Sequence, residues 1–359
     1  MKYNTHAMSA SDQNSDELNN HLRQLRSLIY GNWNTCVTCA FAELNLADLL
    51  STGDRTVADL AQATATDPDA LARFLRCAAG LGLVVWQRKT EHYTLAPLGE
   101  LLTSDHPQSQ RAAAQLNGAD YRYQPWGRLV EVLKQGSSRG ISPTAEQGSL
   151  AYLASRPEDL AVFHRAMTDL SVGDNQALAR AFDFGRFAHV IDVGCGEGTL
   201  IKSILREYPA VTGTMFDLEE TLTSATGGDE QVFAGRLRRQ PGDFLQSIPA
   251  GADLYVMKNV IHNWPEARAL QLLHNVRAAL VADPGASASK RLLIIEYVLT
   301  AGPSVAAWLD LNFLVLVDGR ERTLDEYRAL GARAGLVLTQ VIATPIGRHI
   351  LEFAAEFEQ

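Results

Sequence analysis

The segment HVIDVGCGEGTL at residues 189–200 constrains the fold of this chain more than any other. Its first half is a short apolar run of the kind that forms a buried strand. The following TLIKSILREYP places apolar residues at helical spacing up to a proline. Between the two stand Gly194, Gly196 and Gly198, which let a backbone pass close to a ligand where any Cβ would collide. A strand, a glycine-rich turn and a helix are therefore expected, with a small molecule lying against the turn.

The chemistry of that molecule follows from what surrounds the glycines. The spacing Gly194-x-Gly196-x-Gly198 differs from the Gly-x-Gly-x-x-Gly of a dinucleotide site, and no Lys-Ser or Lys-Thr pair directly follows the last glycine as a phosphate-binding loop requires. Downstream, VTGTMFDLEET reads as a second strand ending in Asp217 and Leu218. An acidic side chain about twenty residues past the turn of a doubly wound sheet accepts hydrogen bonds from a ribose diol. Asp192 adds a carboxylate to the same crevice, which suits a cationic ligand better than a pyrophosphate. S-adenosylmethionine carries a sulfonium, an ammonium and a ribose, and fits all three demands.

With 359 residues, 46% of them hydrophobic, the chain can build two domains or one domain with a large appendage. It has no apolar run long enough to span a membrane, and its first twenty residues are polar without the apolar centre of a signal peptide, so a cytoplasmic location is expected. A formal charge of -9 argues against nucleic acid or an anionic membrane as partner. The four cysteines, at 36, 39, 77 and 195, are too scattered for a disulfide framework. Cys36 and Cys39 form a Cys-x-x-Cys, but within an apolar helical stretch and without a second Cys or His pair, so they read as packing residues.

Residues 1–17 are polar and lack periodicity, and an unstructured tail is expected there. Apolar residues recurring at three and four predict helices over 17–30 and 34–50. Residues 55–102 then read as helix, turn, helix and two short strands, LVVWQ and HYTLA, the pattern of a winged helix. Between Asp54 and Thr103 basic residues stand at 55, 73, 76, 88 and 89 and acidic residues at 54, 59, 67, 69, 91 and 100. A DNA-reading module would present a basic face, so this one is read as a packing or dimerisation module. Further helices are expected up to Phe187, where Tyr123, Trp126, Tyr152, Phe163 and Met167 serve either as core or as the apolar roof of a ligand cleft. From Val190 strand and helix alternate, which predicts an α/β, doubly wound, mainly parallel sheet. The closing runs LVLTQVIAT and HILEFAAE suggest an antiparallel edge.

Ligands of such a sheet gather at the carboxyl ends of its strands. The third strand ends in KNVIHNWPE, which brings Lys258, His262, Asn263 and Trp264 to the crevice of Gly194 and Asp217; Pro265 suits the first helical position and leaves His262 on the turn. The next strand ends in Glu296, and a later loop carries Glu321. A histidine flanked by carboxylates is an arrangement for general-base catalysis. A carboxylate on one ring nitrogen fixes the tautomer and raises the basicity of the other.

Taken together, VIDVGCGEGTL, Asp217, GDFLQSIPAGADLYVMKNVIHNWPE, LLIIEYVL and DLNFLVLVDGRERTLDEY resemble the class I S-adenosylmethionine-dependent O-methyltransferases of the two-domain type that methylates caffeate and acetylserotonin, including bacterial members that decorate aromatic natural products. The N-terminal winged segment is similar to that family's dimerisation domain. The resemblance implies a Rossmann-like catalytic domain over 181–359, cleft helices over 113–180, a dimerisation domain over 18–112 and a homodimer. Asp192, Gly194, Gly196, Asp217 and Leu218 would hold the methionine part and ribose of the cofactor; Asp243 and Phe244 would meet its adenine; Lys258 would sit beside it. His262 would be the general base, flanked by Glu296 and Glu321. Phe163, Met167, Trp264, Trp308, Asn312 and Phe313 would line the acceptor pocket. The chain departs from the family at Asn263, where Asp is usual; an amide keeps hydrogen bonds but no charge. That amide also makes a metal site unexpected. Alternative chemistries on the same fold and cofactor are methylation at carbon or a cofactor-assisted cyclisation without methyl transfer. A cofactor-sensing DNA-binding regulator is disfavoured by the acidic balance of the winged segment.

Overall fold

The structure, a computed structural model, describes residues 10–224, 232–282 and 289–356, and the chain divides into two compact units at Gly118/Ala119.

The first unit opens with α1 (Ala10–Ile29) and α2 (Gly31–Glu43). Helix therefore begins inside the stretch expected to be unstructured; residues 1–9 lie outside the described residues. The helix expected over 34–50 is broken at Asn45, whose φ of 57° is left-handed, and α3 (Leu46–Ser51) restarts after it. Asn tolerates that conformation better than most residues, and this breaks a periodicity that otherwise looks continuous. Helices α4 (Val57–Thr64) and α5 (Pro68–Gly80) start on capping residues. Thr56 and Asp59 form a reciprocal capping box, and Asp67 accepts from the Ala70 amide at 2.8 Å ahead of Pro68. Strands β1 (Val84–Gln87) and β2 (His92–Leu95) pair antiparallel as the wing, and α6 (Pro97–Glu100) and α7 (Arg111–Gly118) close the unit. Phe41, Leu46, Leu60 and Leu75 form its core; each such burial contributes roughly 1.5–3 kcal/mol. A stripe of Leu18, Leu22, Leu25, Leu28, Ile29 and Trp33 remains 40–74% exposed along α1 and into α2.

The second unit begins with short helices α8 (Asp120–Gly127), α9 (Leu129–Gln135), α10 (Pro143–Gln147) and α11 (Ser149–Leu153), then α12 (Pro157–Asp169) and α13 (Val172–Ala181). The alternating part follows: β3 (His189–Val193), α14 (Thr199–Glu207), β4 (Thr212–Asp217), α15 (Glu219–Ser224), β5 (Leu237–Pro241), β6 (Leu254–Lys258), α16 (Glu266–Val281), β7 (Arg291–Glu296), β8 (Val298–Leu299), α17 (Val305–Leu316), β9 (Arg322–Thr323), α18 (Leu324–Arg333), β10 (Leu336–Ala343) and β11 (His349–Ala355).

The seven-stranded sheet runs β10-β11-β7-β6-β3-β4-β5, parallel from β7 to β5, with β10 and β11 antiparallel at one edge as expected. Alternate residues of each strand serve opposite faces. Ile191, Tyr255, Met257 and Ile294 pack with Leu272 and Val276 of α16. Val190, Leu254, Val256 and Ile295 pack with Ile201, Ile204 and Leu205 of α14. Strand β5, LRRQP, is not foreseen from the sequence, because an exposed edge strand with two arginines and a proline carries no apolar signal. Strand β3 lies between β4 and β6, so the strand order reverses beside it and a crevice opens at its carboxyl end.

Candidate active site

The turn after β3 is built on three left-handed glycines, Gly194, Gly196 and Gly198, with φ of 69°, 57° and 71°. The amide of Gly194 donates to the carbonyl of Phe216 at 2.8 Å and ties the turn to β4. A Cβ on Gly194 would fall 2.9 Å from Val260, whereas one on Gly196 would meet only open space. Asp217, buried at the end of β4, accepts from the Gly196 amide and from the Leu218 amide, each at 2.8 Å. Burial holds its carboxyl above the ordinary carboxylate range against the pull of those two bonds. Two helices brace the turn: Thr168 of α12 donates to Glu197 at 2.7 Å, and Asn175 of α13 donates to Thr199 at 2.8 Å.

Behind the turn lies a buried charge network. Burial pushes Asp192 up to about 7, opposed by the charge of Lys258, and its Oδ2 has no hydrogen-bond partner. Lys258 is lowered to about 8 by burial and by the nearby Arg348, with Asp174, Asp192 and Glu296 acting in the other direction. Arg348, just ahead of β11, donates to Asp174 at 3.1 Å and to Asn259 Oδ1 at 2.5 Å and lies 4.3 Å above the Tyr297 ring. Asn259 itself is left-handed, at φ 59°. Asn263 donates from its amide to the Asn259 carbonyl at 2.9 Å, a bond an aspartate carboxylate could not make.

His262 sits in a 3-10 turn, Ile261–Asn263, and is 6% exposed. Pro265 caps α16 one position before its first helical residue. Glu296, at the end of β7, accepts from the amides of Val260 and Ile261 at 3.0 and 3.1 Å, so it holds the turn by its N–H groups. The loop before β9 holds the same turn by its carbonyls: the Arg320 amide donates to His262 at 2.9 Å, and Arg322 donates to Ile261 and Trp264 at 3.3 and 3.1 Å. Asp310 of α17 accepts from the Glu321 amide at 2.9 Å. Strands β8 and β9 pair, Val298 with Arg322 and Leu299 with Thr323, which sets Glu321 alongside Glu296.

Both carboxylates face the same ring nitrogen. Glu296 Oε2 stands 2.9 Å and Glu321 Oε1 3.1 Å from His262 Nδ1. Only the Glu321 contact has hydrogen-bond geometry, since one N–H can aim at one acceptor; Glu296 acts on the ring through its charge. Burial alone would lower the pKa of His262, but the charge and contact of Glu296, followed by those of Glu321, raise it to about 9. Burial raises Glu321 itself. The ring nitrogen and the two carboxylates lie within 4.8 Å of one another and form a donor set a divalent cation could use, although the distances to Nδ1 are those of hydrogen bonds.

The remaining expected residues are distributed unevenly. Phe313 of α17 lies 4.2 Å from the His262 ring, and Phe244 packs edge-on to Trp264 at 6.1 Å beside Gly194. Asp243 turns onto its own loop, accepting from the Leu245 amide at 2.8 Å. Phe163 and Asn312 are half-buried, and Met167 and Leu218 are each 37% exposed. Trp308, on the first turn of α17, is 70% exposed and is the most solvent-open of the group. Glu197, Asn259, Asp310 and Arg322 carry no pattern in the sequence that marks them; Arg348 leaves a trace, as a lone basic residue opening an otherwise apolar closing strand.

A family model of the O-methyltransferase domain matches residues 126–337, and one of the O-methyltransferase dimerisation domain matches residues 27–105. The phenazine O-methyltransferase PhzM of Lysobacter antibioticus is 33% identical over 91% of this chain and 94% of its own length. The 8-amino-8-demethylriboflavin N,N-dimethyltransferase of Streptomyces davaonensis is 35% identical over 83% of this chain and 85% of its own. The O-methyltransferase NcsB1 from neocarzinostatin biosynthesis, crystallised with S-adenosylmethionine and 2-hydroxy-5-methyl naphthoic acid, superposes with a TM-score of 0.77 at 28% identity, over 90% of this chain and 96% of that one. The expected fold and cofactor class stand. The chain belongs to the S-adenosylmethionine-dependent O-methyltransferase family, with that family's dimerisation domain at its N-terminal end.

Proposed function

We propose that the enzyme methylates a hydroxyl oxygen of a small aromatic or polyketide-like molecule in secondary metabolism, with His262 as general base. The observation that carries this reading is the placement of His262 Nδ1 against two buried carboxylates. Held as Nδ1–H, the ring keeps the lone pair of Nε2 for the acceptor's proton. The glycine turn fits the cofactor: open space over Gly196, the Asp217 carboxylate beside it, and the unpartnered Oδ2 of Asp192 suit a ribose and a cationic methionine end. The bound cofactor supplies the electrophilic methyl group. The chain's residues align the acceptor oxygen with that carbon, and His262 takes the hydroxyl proton as the O–C bond forms and the S–C bond breaks. Asp243 and Phe244 would face the adenine and Lys258 the cofactor's edge. Phe163, Met167, Trp264, Trp308, Asn312 and Phe313 would line the acceptor pocket, and the aromatic acid bound by NcsB1 agrees with such a lining.

The exposed apolar stripe on α1, in a chain with a matched dimerisation domain, supports a homodimer. No described helix is long and apolar enough to cross a membrane, and a cytoplasmic location belongs to the same proposal. Methylation at nitrogen is the second reading, because one relative is named an N,N-dimethyltransferase. Incubation with methyl-labelled cofactor and a panel of phenols, catechols, anilines and aromatic acids separates these. Label on oxygen with equimolar S-adenosylhomocysteine is expected, and unchanged rates after exhaustive chelation. Label on carbon or nitrogen alone, or a product without label, would overturn the O-methyl assignment.

A further inference from the structure

The turn that carries His262 is tied by side chains to the helix that braces the glycine turn. Strand β6 ends at Lys258, and Asn259 follows in the left-handed conformation, at φ 59°, with its amide donating to Ile295 of β7 at 3.3 Å. The Asn259 carbonyl accepts from the side-chain amide of Asn263 at 2.9 Å, while its side-chain Oδ1 accepts from Arg348 at 2.5 Å. Arg348, 8% exposed, donates in turn to Asp174 of α13 at 3.1 Å. The next residue of α13, Asn175, donates to Thr199, the first residue of the helix that follows the glycines.

Chemistry fixes the direction of each of these bonds. A guanidinium only donates, so the side chain at 259 must turn an acceptor to Arg348. A backbone carbonyl only accepts, so the side chain at 263 must bring a donor. The two asparagines are therefore not equivalent: a carboxylate satisfies the demand at 259 and fails the one at 263. The left-handed backbone at 259, which Asn and Asp enter more readily than other side chains, imposes the same choice there. The bond from Asn263 to the Asn259 carbonyl closes a ring around residues 260–262, the segment whose amides at Val260 and Ile261 Glu296 holds. His262 lies inside that ring.

We propose that Asn263 is a positioning residue for His262: its side-chain bond closes the 259–263 turn, and Arg348, anchored on Asp174, holds the accepting end of that bond in place. The inference rests on the reading of His262 as general base and adds what fixes the placement of its ring.

Steady-state release of S-adenosylhomocysteine, with whichever phenol of the labelling panel the wild type turns over fastest, tests it. Asn263→Asp should lower kcat by roughly 10–100-fold, as misplacement of a reacting group does, with KM for cofactor and acceptor close to wild type. Asn263→Ser, which keeps a donor within reach of the carbonyl, should retain more of the rate than Asn263→Ala. At the other end the order reverses. Asn259→Gly keeps the backbone conformation and loses the acceptor, and Asn259→Asp should recover most of the rate that variant loses. In a His262→Gln background, Asn263→Asp should cost little further. The Nδ1–H resonance of His262, in enzyme made with isotope-labelled histidine and loaded with S-adenosylhomocysteine, reads the same placement without turnover and should move in Asn263→Asp. A full rate in Asn263→Asp, an undiminished loss in the His262→Gln background, or a fall in thermal stability with kinetics and resonance unchanged would each overturn the inference. The two readings fail differently: a His262→Gln variant at the wild-type rate sinks the base reading and this one with it, whereas an impaired His262→Gln beside an unimpaired Asn263→Asp sinks this one alone.

Discussion

Replacing Glu321 by Gln removes one of the two negative charges at His262 Nδ1 and changes little else. The amide carbonyl can still accept the Nδ1–H that Glu321 Oε1 receives at 3.1 Å. Its NH2 falls near the place of Glu321 Oε2, which is buried without a partner, at a cost of about 1–3 kcal/mol that relief of a buried carboxylate offsets. A carboxylate in direct contact holds a histidine's pKa up, so the value of about 9 should fall in the variant. Only the neutral ring accepts a proton, so the rising limb of kcat/KM against pH, set near 9 in the free wild type, moves to lower pH in the variant. The weaker base lowers the plateau. The two profiles are therefore expected to cross, with the variant relatively better on the acid side and the wild type faster on the alkaline side. Initial rates of S-adenosylhomocysteine release across roughly pH 6 to 10 provide the assay. A lower plateau with an unmoved midpoint would mean that Glu321 only positions the ring. A midpoint shifted upward would refute the electrostatic reasoning outright.

Three further outcomes are expected. If Asp217 accepts from the ribose as proposed, Asp217→Asn should weaken cofactor binding by about 10–100-fold in calorimetry. Arg348→Met should lower both turnover and stability, by about 2–3 kcal/mol in chemical denaturation, because it strands Asp174 and frees Asn259 ahead of the His262 turn; Lys258 should titrate higher, having lost a cationic neighbour. Leu28→Asp, in the middle of the exposed stripe on α1, should yield monomers in size-exclusion chromatography with light scattering; an unchanged dimer would move the interface elsewhere.

Legibility in the sequence followed the physics of each element. Strands buried on both faces, such as Leu254–Lys258 and Arg291–Glu296, announce themselves as apolar runs, and the glycines after Val193 mark the turn that follows one of them. The exposed strand Leu237–Pro241 has no apolar side to reveal it. The break at Asn45 rests on a single residue's backbone freedom inside an unbroken helical pattern. At the site, His262 and Glu296 could be paired because each ends or follows a strand, whereas Glu321, on the loop before Arg322, joined them through the family resemblance. That both carboxylates reach the same nitrogen depends on the two-residue ladder of Val298–Leu299 with Arg322–Thr323, which is too short to read. Arg348 acts across tertiary contacts with residues remote in sequence, and a lone arginine carries no pattern of its own.

If His262 removes the acceptor's proton while other residues hold the cofactor, the two roles separate in His262→Gln, read by its single-turnover rate at saturating S-adenosylmethionine and by cofactor affinity on the same sample. Affinity close to wild type with a rate lowered by roughly 10²–10⁴-fold is the expected result. A variant that binds the cofactor normally and transfers methyl at the wild-type rate would contradict it.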